Sequence, residues 1–124
     1  MTKYILHGGQ KTGKPSTSKL YEEIVRDIPK KNITILYVPF TKENREEQQI
    51  GYETNKKACI DAILQKNITF LLGDANPHVF LDQMHSADVI YLPGGNNESL
   101  KKFLSHIPLH VLQKHLEGKV VIGT

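Results

Sequence analysis

The 124-residue sequence has one cysteine, no tryptophan and two methionines. A single cysteine excludes an intrachain disulfide. No apolar run approaches the roughly 18–20 residues that cross a bilayer, and the stretch from Met1 to Gly8 holds too little apolar sequence for a signal peptide. No membrane partner is expected, and the chain reads as cytoplasmic. Charge of one sign is also scarce. Lys and Arg number 16 against 13 Asp and Glu, and the small excess is scattered through the first half rather than gathered on a stripe. A nucleic-acid partner is therefore not expected. What remains is a 39% apolar chain, enough for one modest core and too much for a disordered segment.

Five short β-rich runs recur, at Tyr4–His7, Ile33–Val38, Ile68–Leu72, Val89–Leu92 and Val120–Gly123. They are mostly continuous rather than alternating, the mark of strands buried on both faces. Helical spacing lies between them. Leu20, Ile24, Val25 and Ile28 share one face, and Tyr52, Cys59, Ala62 and Ile63 another. Asn76-Pro77 reads as a cap with proline at the first helical position, ahead of Phe80, Leu81 and Met84. Leu100, Phe103, Leu104 and Ile107 keep i, i+3, i+4, i+7 spacing, and Leu109–Leu116 fits a last helix stopped by Gly118. The polar stretch Thr41–Gln49 is expected to be a charged loop that starts or precedes the second helix.

Alternation of this kind predicts one α/β domain over residues 1–124. The expected fold is a flavodoxin-like three-layer sandwich on a parallel sheet of order 2-1-3-4-5. The sequence ends right after the fifth strand. One apolar face of that strand is therefore expected to lack a covering helix, with self-association or a C-terminal companion polypeptide to hide it.

In open α/β sheets ligands sit beyond the carboxyl ends of the strands. Three such ends carry glycine: His7-Gly8-Gly9, Pro93-Gly94-Gly95-Asn96-Asn97 and Gly123-Thr124. Each alone is compatible with a plain tight turn; together they place pliable backbone along one edge. The first resembles a phosphate loop, with Gly8, four residues, then Gly13-Lys14, but Pro15 stands where a Ser or Thr would hold magnesium. Proline also removes an N–H from the cradle. No nucleotide or other cofactor is expected.

The second and third fit together better. A nucleophile elbow reads G-x-S-x-G on a sharp strand-to-helix turn, and Gly123-Thr124 supplies its first two positions. The run Val89-Ile90-Tyr91-Leu92-Pro93-Gly94-Gly95-Asn96-Asn97, then Leu100, then Gly118 to Thr124, resembles the peptidase E and cyanophycinase family of serine peptidases. So does Tyr37-Val38-Pro39-Phe40. Pro93 departs mildly from the family, which often has glycine there.

The resemblance implies a class I glutamine amidotransferase-like fold and hydrolysis of small peptide or isopeptide bonds by acyl transfer. It implies that Gly95 lends its main-chain N–H to an oxyanion hole. Gly94, Asn96 and Asn97 would shape the substrate side of that turn, with His7 at the same edge, and Gly123 and Thr124 would lead into the elbow. The nucleophilic serine and its histidine and acidic partners match no residue of this chain, which alone is expected to be inactive. Two other readings stand beside this one: a non-catalytic flavodoxin-like module for a small anion or nucleotide, and a degenerate or processed fragment acting with a partner chain. No metal is expected: His106, His110 and His115 lack a ligand pattern with carboxylates or cysteine, and Cys59 reads as core.

Overall fold

In the computed structural model, which describes residues 3–6, 28–42, 44–63, 66–95 and 97–123, strands and helices alternate along the chain. Strand β1 covers Lys3–Leu6 and β2 Asn32–Tyr37; helix α1, Arg45–Ala62, leads to β3, Asn67–Leu72. Helix α2, Pro77–Ser86, precedes β4, Val89–Leu92. Two short helices, α3 (Asn97–Leu104) and α4 (Leu109–Leu116), then lead to β5, Val120–Gly123. All five strands fall within one residue of their expected positions. The helical face expected at Leu20, Ile24 and Val25 lies outside the described residues.

Local chemistry fixes the helix ends. The side chain of Asn44 accepts a hydrogen bond from Glu47 N–H at 2.8 Å, and Glu46 and Glu47 place negative charge at the positive end of α1. Asn76 accepts from His78 N–H and Val79 N–H, with Pro77 at the first turn, as its sequence predicts. Gly118, at φ 79°, ends the last helical segment in a conformation that favours glycine.

The sheet is parallel throughout, and its order is β1-β5-β4-β2-β3. This corrects the expected 2-1-3-4-5. Counted from β2 onward the strands do wind 2-1-3-4, the flavodoxin-like pattern, but β1 joins the far edge beside β5 instead of lying between β2 and β3. The reason is visible in burial. Ile35, Leu36 and Tyr37 of β2 are 0% exposed, so this strand belongs inside the sheet. The four-residue β1, which begins with a lysine, suits an edge, where short strands and charge are tolerated.

Reversal of direction at β2 puts helices on both faces, because parallel crossovers keep one hand. Ile33, Ile35 and Tyr37 of β2, with Val89, Tyr91 and Ile122, pack against Cys59 and Ile63 at the end of α1. Leu36, Val38, Ile90 and Val121 face the other way, onto Phe80 and Met84 of α2 and the apolar sides of α3 and α4. The result is a three-layer sandwich. Strand β5 does not show the expected bare face: Val121 is 6% exposed and Ile122, pointing to the opposite layer, 1%. Ile122 belongs to the core cluster that also holds Cys59 and Ile63.

Candidate functional site

Parallel pairing sets the carboxyl ends of the strands level. Tyr37 pairs with Tyr91, Leu92 with Gly123, and Leu6 also with Gly123. The carboxyl ends of β2, β4 and β5 therefore lie together. The strand order reverses between β2 and β4, so the crevice that open α/β sheets use for ligands lies where the segment after Tyr37 meets the turn after Leu92.

That meeting is close. Gly95 has φ +151°, a conformation that L side chains rarely adopt. A Cβ there would sit 2.7 Å from the backbone oxygen of Thr41 and 3.0 Å from its Cβ. Thr41 is itself 3% exposed, and its hydroxyl donates a long hydrogen bond, 3.4 Å, to Gly94 O. Two further bonds hold the segment: Val38 N–H donates to Tyr91 O at 2.9 Å and Lys42 N–H to Pro39 O at 3.1 Å. Gly94 and Gly95 are exposed. Among the described residues nothing accepts a hydrogen bond from Gly95 N–H. A donor held by its neighbours and left open to solvent suits the stabilisation of negative charge.

Beside the turn runs an open cleft of about 630 Å³. Its floor is Phe40, whose ring stacks on Phe103 of α3 with centroids 3.7 Å apart. Lys42, Gln48, Glu98, Lys102 and His106 rim it. A second hollow of about 330 Å³, sharing Phe40 and Gln48, continues toward Arg45 and Asp74. An aromatic wall with a mixed-charge rim can receive a small polar molecule.

The residues expected from sequence fare differently. Gly94, Gly95 and Gly123 come together at one edge, as expected. Asn97 opens α3. His7, Asn96 and Thr124 lie outside the described residues. Cys59 is fully buried, and burial pushes its thiol up to about 12, so it is inert core. His106 lies on the cleft, whereas His115 turns Nδ1 toward Val111 O at 2.8 Å within its own helix. Among the described residues no cluster of His, Cys, Asp or Glu could hold a metal. Thr41 is the residue that sequence reasoning passed over. The sequence places it in a charged loop, yet its side chain is buried under the Gly94–Gly95 turn; its place directly after Val38-Pro39-Phe40 is the available signal.

The sequence profile of peptidase family S51 matches residues 4–124. The chain belongs to peptidase family S51. The S51 assignment agrees with the resemblance carried by the glycine turns after β4 and β5. Among solved structures, the crystal structure of a peptidase from an acI-B1 Actinobacterium matches with a TM-score of 0.69 and 18% identity, over 97% of this chain and 52% of that one. At that identity the likeness shows the fold, and this S51 chain spans about half the length of that peptidase. No curated protein matches this chain. Among the described residues no helix is long and apolar enough to cross a membrane.

Proposed function

We propose that this chain supplies the oxyanion-stabilising half of a cytoplasmic serine peptidase acting on small peptide or isopeptide bonds. The observation that carries the reading is the Gly95 amide: unpaired among the described residues, fixed by Thr41, and next to the strand end at Gly123. A serine directly after Thr124 would stand at the third position of the elbow, on the strand that pairs with the one leading into the Gly94–Gly95 turn. Its oxygen attacks the scissile carbonyl while a histidine takes the proton. The carbonyl oxygen becomes an oxyanion, and Gly95 N–H meets it with a hydrogen bond stronger than the ground-state carbonyl receives. Collapse expels the amine, which takes the proton from histidine, and water releases the acyl group by the same route. The reading requires a serine, a histidine and an acid that match no residue of this chain.

The test uses the longer polypeptide or assembly that contains this chain. It is incubated with a panel of dipeptides and isopeptides, with and without a serine-directed phosphonylating reagent, and the adduct is mapped by mass spectrometry. Turnover abolished by one adduct, on a serine following Gly123-Thr124, supports the reading. Binding of a small anion without turnover of any amide would instead favour a non-catalytic module.

A further inference from the structure

An amide that stabilises an oxyanion must point at it, and a glycine pair does not fix its own peptide plane. Gly94 and Gly95 could each adopt conformations closed to other residues, so the plane between them needs an outside constraint. The structure provides one. No cis peptide bond occurs among the described residues, so the Gly94 carbonyl and the Gly95 N–H point in opposite directions. Thr41 Oγ1 donates to that carbonyl from the β2 side. The Gly95 N–H is thereby turned away from β2.

We propose that Thr41 is a positioning residue that aims the Gly95 N–H into the site by holding Gly94 O. The inference rests on the reading of Gly95 as the oxyanion donor. Three observations converge on it. The threonine side chain is almost wholly buried although polar, which costs stability unless the hydroxyl has a partner, and Gly94 O is that partner. The Thr41 carbonyl and Cβ leave no room for a side chain on Gly95, so the two segments are in direct contact. Thr41 is also anchored from below, since Val38 N–H bonds to Tyr91 O and the Pro39–Lys42 turn closes on itself. Loss of the hydroxyl leaves this packing in place and removes the bond from Thr41 to Gly94 O.

The experiment compares Thr41→Val, which keeps the shape, with Thr41→Ser, which keeps the hydroxyl, in the active longer polypeptide. In Thr41→Val we expect kcat to fall about tenfold with KM within about twofold, a fraction of the 10²–10³ lost with a whole oxyanion donor. Thr41→Ser should stay within about threefold of the parent. A second readout needs no turnover: in ¹⁵N–¹H spectra the Gly95 amide should shift and broaden in Thr41→Val and hold its place in Thr41→Ser. Should Thr41→Val fail to fold, Thr41→Ala replaces it. Parental kcat in the valine variant, an unmoved Gly95 amide, or a serine variant as slow as the valine one each overturns the proposal. If the parent hydrolyses no amide, the reading of the site fails, while the spectra still decide whether Thr41 holds the turn.

Discussion

The carboxylate of Asp88, at the entry to β4, accepts a hydrogen bond from the backbone N–H of Thr34 in β2 at 2.9 Å. The same carboxylate meets Lys30 Nζ at 2.7 Å, and the Asp88 backbone bonds to Thr34 O and to Val120 N–H. One residue thus ties three strands at the edge opposite the glycine turns and sets the register that brings Leu92 level with Gly123.

The two partners of Asp88 are unequal. Its side chain is 16% exposed and that of Lys30 55%, so the ion pair is solvent-screened while the bond to Thr34 is sheltered. Lys30→Ala should cost about 0–1 kcal/mol. Asp88→Ala should cost about 1–3 kcal/mol, since it strips a part-buried N–H of its acceptor. Urea unfolding of both variants checks the ranking, and equal losses would assign the tie to the ion pair.

Gly95→Ala puts a Cβ 2.7 Å from a backbone oxygen at φ +151°, and that contact cannot be relieved by rotating a flexible side chain. The turn must move. In the active longer polypeptide kcat should fall by about 10²-fold or more, since a lost oxyanion donor costs about 2.7–4 kcal/mol. Circular dichroism should show the sheet intact. Near-parental turnover in a folded Gly95→Ala variant would remove this amide from the chemistry.

Strand positions and helix caps were legible because each depends on a few neighbouring residues. Asn76-Pro77 specifies its cap by itself, and the run after Ile33 announces a strand buried on both faces. Strand neighbours were not legible in the same way. Nothing in Lys3–Leu6 states which edge it will join, and the commonest winding placed it wrongly although the order of β2 to β5 followed the rule. Thr41 was hidden for a related reason. Polar neighbours at Lys42, Glu43 and Asn44 make it look like loop, and its burial comes from a turn more than fifty residues away in sequence. The conformation of Gly95 was legible because the freedom glycine allows is a property of the residue itself.

Alkaline pH should weaken the fold through two buried groups. Burial raises the Tyr37 hydroxyl from 10.0 to about 12, with Tyr91 adding to the effect and the hydrogen bond with Asn55 opposing it. Burial raises the Cys59 thiol from 9.0 to about 12. Both groups are neutral when protonated, so the unfolded chain loses these protons first. Their contribution is full below about pH 9 and is lost as pH climbs from there to about 12. Urea midpoints across this range should fall, and Cys59→Ala should shallow the early part of the decline. A flat profile would mean that both groups reach solvent in the folded state.

Tyr37 also controls a glycine in helix α1. Gly51 sits where the helix crosses the tyrosine, and an added Cβ would lie 2.5 Å from the hydroxyl oxygen but 3.6 Å from the ring carbon that bears it. Replacing a helical glycine by alanine gains about 0.5–1 kcal/mol of backbone entropy when space allows. Here space does not allow. Tyr37 is fully buried and its ring is wedged against Tyr52, Phe70 and Tyr91, so the hydroxyl cannot retreat. Overpacking of this kind costs about 1–3 kcal/mol and outweighs the entropy gain, so Gly51→Ala should destabilise the parent protein. In a Tyr37→Phe background the obstructing oxygen is gone and the ring carbon at 3.6 Å is an ordinary contact. The same substitution should then be neutral or stabilising by up to about 1 kcal/mol. A double-mutant cycle measured by urea unfolding reads the reversal directly. If Gly51→Ala costs the same in both backgrounds, the tyrosine hydroxyl is not what keeps this position a glycine.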